Sequence, residues 1–333
     1  MWATTICPPV WASTFQKGAD RMMVLAQWVL EYPEYAAFVK RASQRGAFVL
    51  MDNGAFEGAQ AETGALTRAA NACGATEVVL PDVIGDPTET LKRSWAALGQ
   101  VSSHSVMFVP QGRDIAEWSR CLDAWVGKWD TTFWKDDYKL TLGIATPKDP
   151  PAPPVYKARA SCLQVAAQYG FPMHMLGVGS VSEFALHQLG VARRAGVRSV
   201  DTSLAFALGA HGHLLTASAE KVPLGDIDQY DTLSAASQHL IWLNIAILED
   251  WVQLGYQGPA IPMRLVRGVA SRYLKYYARG FAPPEKVLRA CCVPEGEYAI
   301  FVRGVFEEVR PLGPKDEPTE EEGVIEITYK GVK

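Results

Sequence analysis

Four polar side chains stand where apolar runs stop. They are Asp52 in "AFVLMDNG" (47–54), Asp82 in "EVVLPDVIGD" (77–86), Gln111 in "SVMFVPQG" (105–112) and Asp201 in "VRSVDTS" (197–203). Carboxylates carry nucleophilic and acid–base chemistry, and an amide beside them both donates and accepts hydrogen bonds. Two carboxylates acting together suit substitution at an anomeric carbon through a covalent intermediate, one attacking while the other moves the proton. Each residue also has a plainer reading. Asp52-Asn53-Gly54 is good turn chemistry in its own right. Asp82 shares "PDVIGDP" with Asp86, which stands before Pro87 and suits a helix cap. Gln111 could satisfy loop backbone groups, and Asp201 could cap the following "LAFALGA".

Position lifts the chemical reading above the plain one. The apolar runs that end in these residues, together with "KLTLGIATP" (139–147) and "MHMLGVGS" (173–180), recur every 24 to 34 residues. "TTICPP" opens the chain at residue 4 as a further strand. Between the runs lie segments of helical spacing. "MMVLAQWVLEYPEYAAFVKRASQRG" ends on Gly46, "DPTETLKRSWAALGQ" starts on Asp86 and Pro87, and "SVSEFALHQLGVARRAG" starts at Ser182 and stops at Gly196. Strand and helix alternating at this period predict parallel βα units. Seven visible strands favour a (β/α)8 TIM barrel, an α/β fold, with the eighth strand not evident. In such a barrel the C-terminal strand ends converge on one face, so Asp52, Asp82, Gln111 and Asp201 would share a mouth. Buried acids gathered without purpose would be costly.

Two stretches depart from the pattern. "TPKDPPAPPVY" (146–156) is too rich in Pro for helix or strand and reads as an extended loop beside the mouth. From about residue 226 the period fades, dividing the chain into a barrel core (1–225) and a helical, basic C-terminal extension (226–333). The extension offers a long amphipathic helix over roughly 228–254 and then "MRLVRGVASRYLKYYARGF" (263–281). There Arg264, Arg267, Arg272, Lys275 and Arg279 occur with no acid among them, beside Tyr273, Tyr276 and Tyr277. Cations that hold phosphates and tyrosines that pack sugars or bases make this the expected nucleic-acid surface; the plainer alternative is a solvated helix face.

Composition narrows the function classes. The 333 residues carry a formal charge of −4, so any nucleic-acid contact must be local. "HLIWLNIAIL" (239–248) is about half a membrane span, and no secretory leader is visible at the start, so no membrane partner is expected. Six cysteines without regular spacing favour reduced thiols and a cytoplasmic setting. No GxGxxG follows an early strand and no P-loop is present, so no cofactor is expected.

The ordered set of motifs resembles the tRNA-guanine transglycosylase superfamily, whose barrels exchange a guanine for a 7-deazaguanine base within a nucleic acid. The family's "DSGGFQ" is similar to "DNGAFE" (52–57), and its Asp-bearing strand end to "LPDVIGD". Its "VQG" resembles "VPQG" (109–112), its Gly-Leu stretch "LGIA" (142–145), its "H-x-L-M-G-V-G" the segment "HMLGVG" (174–179), and its "FDC" the segment "VDTS". The likeness covers roughly residues 45–205 and keeps all six motifs in order.

The resemblance implies roles. Asp201 is then the nucleophile that displaces guanine and leaves a glycosyl-enzyme ester, and Asp52 the general acid/base. Asp82 and Gln111 read the guanine-like edge, and the backbone around Gly143 and Ile144 adds hydrogen bonds. Phe56 and Leu176, with Gly177 beside it, sandwich the extruded base. The tRNA enzymes also carry a CxCxxC motif and a distant His for structural zinc. Nothing here fits: Cys291 and Cys292 are adjacent, and His211-Gly212-His213 reads as a loop, so no metal is expected. That departure favours the compact DNA 7-deazaguanine transglycosylases, including viral forms, with DNA and a free 7-deazaguanine base as partners and tRNA as the alternative. A homodimer and an accessory protein both remain open. Competing readings are a carbohydrate glycosidase using Asp52 and Asp201, and a non-catalytic nucleic-acid-binding subunit. The glycosidase is disfavoured because Trp95, Trp118, Trp125, Trp129 and Trp134 lie in connections rather than at strand ends.

Overall fold

The computed structural model describes residues 1–15, 18–56, 58, 61–145, 155–179, 192–211, 215, 233 and 235–254. Eight parallel strands close into one barrel in chain order: β1 (Trp2–Ile6), β2 (Arg21–Leu25), β3 (Phe48–Asp52), β4 (Glu77–Val79), β5 (Ser105–Phe108), β6 (Lys139–Ile144), β7 (Met173–Met175) and β8 (Val197–Thr202). Pairing of β1 with β8, Thr4 opposite Asp201, completes the ring. The fold is the (β/α)8 barrel read from the period of the apolar runs. Its strands are short and apolar because a parallel barrel covers both of their faces.

The missing strand is β2. The run "MMVL" (22–25) read as the start of a helix, yet with Arg21 it forms β2 and pairs on one side with β1 and on the other with β3, Leu25 lying opposite Asp52. An apolar run without alternation cannot by itself be told from a buried helix. Here Met22 to Leu25 are all buried, as a central strand requires. The helical pattern behind it splits into α1 (Ala26–Glu31) and α2 (Pro33–Gln44), because Pro33 suits a first helical position and not an interior one.

Helices α3 (Thr63–Cys73), α4 (Pro87–Ala97), α5 (Ile115–Trp129), α6 (Trp134–Asp137), α7 (Val155–Ala166) and α8 (Ala192–Ala195) supply crossovers. Asp86 caps α4 as its sequence suggests, accepting from the Glu89 N–H at 2.9 Å, and Asp114 caps α5 the same way at 2.8 Å. Trp118, Trp125 and Trp129 pack on the inner face of α5, with Trp125 stacked on Phe108 of β5 at 3.9 Å. Trp95 and Trp134 also sit on helices, so the tryptophans named above hold the outer layer. Val155 and Tyr156 open α7, which corrects the end of the Pro-rich stretch expected to be loop. Residues 146–154, most of the Ser182–Gly196 segment and everything after 254, including Arg264, Arg267, Arg272, Lys275 and Arg279, lie outside the described residues.

The described barrel residues form one compact unit, and a second contains two helices, Leu204–Ala210 and Ala235–Leu254. The longer one begins within the expected 228–254. Within that unit Asn244 is wholly buried yet satisfied: its Oδ1 accepts from Leu215 N–H at 2.6 Å, and its Nδ2 donates to the Ala205 carbonyl at 3.3 Å. Among the described residues no helix is long and apolar enough to cross a membrane.

Candidate active site

The sequence-predicted residues run around the C-terminal mouth in strand order. Asp52 ends β3, Asp82 follows β4, Gln111 follows β5, Gly143 and Ile144 end β6, Leu176 and Gly177 follow β7, and Asp201 lies at the end of β8. Alternation along each strand decides which side chains turn inward. Leu50, Val79, Met107 and Val109 belong with Met23 to the inner apolar cluster, so Asp52, two residues beyond Leu50, shares its face. Leu176 also packs on that cluster, which puts His174, two residues earlier, on the inner side of β7.

Two clusters form. In the first, Asp82 is 5% exposed and each carboxylate oxygen receives a side-chain amide: Asn53 Nδ2 donates to Oδ1 at 2.7 Å and Gln111 Nε2 to Oδ2 at 2.5 Å. Burial nevertheless pushes the Asp82 carboxyl up from 3.8 to about 6, the two amide bonds pulling the other way. Both amides are locked. Gln111 Oε1 accepts from Gly85 N–H at 3.3 Å; Asn53 Oδ1 accepts from Ala55 N–H at 2.8 Å, and its Nδ2 also reaches the Leu80 carbonyl at 2.8 Å. Asn53 therefore makes the tight turn bond after β3. Asp52 contributes a longer contact from Gly54 N–H at 3.4 Å and stays half-buried at the strand end.

In the second cluster Asp201, also 5% exposed, points at β7. His174 Nε2 lies 3.0 Å from Oδ1, and the Gly177 N–H is 3.0 Å from both oxygens. Both carboxylate oxygens are thus engaged by β7 and the loop after it. Gly177 has φ +61°, which a side chain would strain, and this conformation accompanies the aim of its N–H at the acid. His174 is completely buried, and its Nδ1 meets Ser199 Oγ at 2.7 Å.

Below Ser199, β8 carries a bulge. Met173 pairs with Val197 but His174 pairs with Ser199, so Arg198 is the extra residue. Arg198 Nε donates to Ser199 Oγ at 3.3 Å, and its Nη2 meets Glu77 Oε2 at 2.6 Å at the opposite end of the barrel. Glu77, itself wholly buried, also accepts from Thr141 Oγ1 at 2.5 Å and Ser105 Oγ at 3.2 Å. A polar column therefore runs through the interior from Glu77 to Asp201.

Gly143 sits where the wall is tight. A Cβ there would come within 2.8 Å of Val109 Cγ2 and 2.9 Å of Leu176 Cδ1. The Ile144 carbonyl already accepts from Leu176 N–H at 3.2 Å and from the guanidinium of Arg159 at 3.0 Å. That buried arginine of α7 also reaches the Leu176 and Gly177 carbonyls, pinning the ends of β6 and β7 together. Phe56 is 80% exposed on the loop after β3, whereas Leu176 is half-buried against the inner cluster. The described cysteines are poor nucleophiles: burial pushes Cys73 and Cys162 up to about 12 and Cys121 to about 11.

Asn53, Arg159, Glu77, Arg198 and Ser199 escaped sequence reasoning. Asn53 read only as turn chemistry, and nothing in the sequence singled out Arg159, Glu77, Arg198 or Ser199. His174 did leave a signal, a polar residue between two methionines of an apolar strand, but its partner on β8 was invisible.

No protein-family model matches the chain, and no curated protein matches it.

Proposed function

We propose that this chain is a transglycosylase that exchanges guanine in DNA for a 7-deazaguanine base through a covalent intermediate on Asp201. The observation that carries the reading is the pairing of an organised carboxylate on β8 with an amide-clamped carboxylate after β4, both at the C-terminal mouth. Asp201, held by an imidazole and a backbone N–H, suits a nucleophile that must present one oxygen in a set direction. Asp82 and Gln111 suit the edge of a guanine-like base, the acid accepting from N–H groups and the amide doing both. Asp52, half-buried at the rim, supplies a proton to the leaving base and removes one from the incoming base. Exposed Phe56 is available for stacking on an extruded nucleotide. The basic stretch 263–281, read from sequence alone, supplies phosphate contacts. A glycosidase is the weaker reading, since the tryptophans named above, which a sugar site would recruit, are committed to the helices.

The test incubates the protein with DNA, or separately with tRNA, and each candidate 7-deazaguanine base, followed by nuclease digestion and mass spectrometry. The expected result is the modified nucleoside from DNA alone, lost in Asp201→Ala while DNA binding persists. Incorporation only into tRNA would redirect the reading to tRNA, and no exchange in either polymer by folded protein would end it.

A further inference from the structure

The two oxygens of Asp201 are not equivalent. Oδ1 receives the His174 imidazole and the Gly177 N–H, while among the described residues Oδ2 shares only the Gly177 N–H. A carboxylate accepts and cannot donate, so His174 Nε2 carries the proton in this pair. With the proton of the neutral ring on Nε2, Nδ1 is the acceptor, so Ser199 Oγ, which accepts from Arg198 Nε, donates its hydroxyl proton to His174 Nδ1. Donation therefore runs one way, from Arg198 through Ser199 and His174 to Asp201. Arg198 is anchored at the far end by Glu77 and lies over the rings of Trp2 and Phe48 at 5.2 and 5.9 Å.

We infer that His174 is a positioning residue that reserves Oδ1 of Asp201 as the hydrogen-bonded oxygen and presents Oδ2 to the sugar carbon. The inference rests on the transglycosylase reading and adds the residue that sets the balance between its two half-reactions. In the first, an Oδ2 lone pair bonds the anomeric carbon as the carbon–nitrogen bond breaks; the carbon–nitrogen bonding pair leaves with the base, whose nitrogen takes a proton from the Asp52 carboxyl. In the second, the incoming base gives its N–H proton to the Asp52 carboxylate, its nitrogen bonds the carbon, and the carbon–Oδ2 pair returns to Asp201. Charge thus leaves Asp201 in the first step and returns in the second. Donors on Oδ1 favour the charged carboxylate over the ester, so they assist breakdown of the intermediate more than its formation.

The removal of His174 consequently has a signature that a merely structural role lacks. In His174→Ala, attack loses orientation, but ester breakdown also loses its charge stabilisation and slows by about tenfold to hundredfold, so covalent protein–DNA adduct accumulates during turnover. His174→Gln, whose amide N–H can take the place of Nε2–H, restores the wild-type partition. Ser199→Ala, which leaves the imidazole in place but removes its hydroxyl partner, shifts the partition in the same direction by less and serves where a His174 variant does not fold. The experiment forms the adduct with guanine-containing DNA and no added base, then adds the 7-deazaguanine base and follows adduct decay on a denaturing gel. Slowed decay in His174→Ala, or in Ser199→Ala should the His174 variants not fold, supports the inference. Equal decay rates in all folded variants overturn it and leave the transglycosylase reading intact. A wild-type protein that forms neither adduct nor exchange product overturns that reading and the inference together.

Discussion

The β3–β5 and β7–β8 sides of the barrel treat a carboxylate in opposite ways. On the β3–β5 side the inner face is apolar, with Leu50, Val79, Met107 and Val109, and Asp82 is held by two side-chain amides. Desolvation wins there, and its carboxyl rises to about 6. Asp201 stands at the head of a polar column of His174, Ser199, Arg198 and Glu77. Barrel interiors are normally filled by branched apolar side chains, so a charged column on one side is a local exception that costs desolvation and yields orientation. On the proposed transglycosylase reading, the difference lets one mouth hold two acids for two tasks: clamped on both oxygens for recognition, or weighted toward one oxygen for attack.

The same substitution applied to each acid separates these tasks. If Asp201 is the nucleophile of the proposed exchange, Asp201→Asn is expected to cut base exchange by at least about 10^3-fold. It leaves Tm within about 3 °C, because the new amide oxygen still accepts from His174 and Gly177. Thermal melts alongside the exchange assay check both halves. Asp82→Asn reverses the pattern. An NH2 group must now face Asn53 Nδ2 or Gln111 Nε2, two locked donors, and folding loses about 1–3 kcal/mol, read by urea denaturation, while KM for the base rises. Should both variants lose the same stability, the contrast between the two clusters collapses.

Acidity sharpens the comparison next. On the proposed reading an ionised Asp82 accepts through both oxygens, whereas the protonated acid must donate from one of them, so KM for the base should climb as pH falls through about 6, and Asp82→Asn should flatten that limb. Stability moves the other way. The folded-state value lies above 3.8, so the contribution of Asp82 is fully present below 3.8 and is lost as pH rises through about 6. Melting temperatures across that window, with Asp82→Asn as the reference, test the sign.

The smallest effects come from the glycines on the two walls. Gly143→Ala crowds Val109, Leu176 and the Met107 sulfur, and should cost about 1–3 kcal/mol with a change in base affinity through Leu176. Gly177→Ala meets open space but a φ of +61°, so about 1 kcal/mol of strain is expected, with slower exchange because the N–H on Asp201 moves. Circular dichroism melts and exchange rates on the same preparations rank the pair.

The sequence alone pointed to the barrel, through apolar runs that end in polar residues every 24 to 34 residues, and it placed Asp52, Asp82, Gln111 and Asp201 at those ends. Local chemistry was legible too, as at the Asp86 cap before Pro87. The tertiary structure alone decided the identity of β2, because "RMMVL" is equally apolar on both faces and only pairing with β1 and β3 makes it a strand. It also decided which acid meets which donor. Asn53 and Asp82 are 29 residues apart, His174 and Asp201 27, and Glu77 and Arg198 121. No periodicity links such residues, since closure of the ring and the bulge at Arg198 bring them within hydrogen-bonding distance. Strand periodicity is a local property of the chain, whereas the partner of a buried charge is set by whatever the fold carries to its other side.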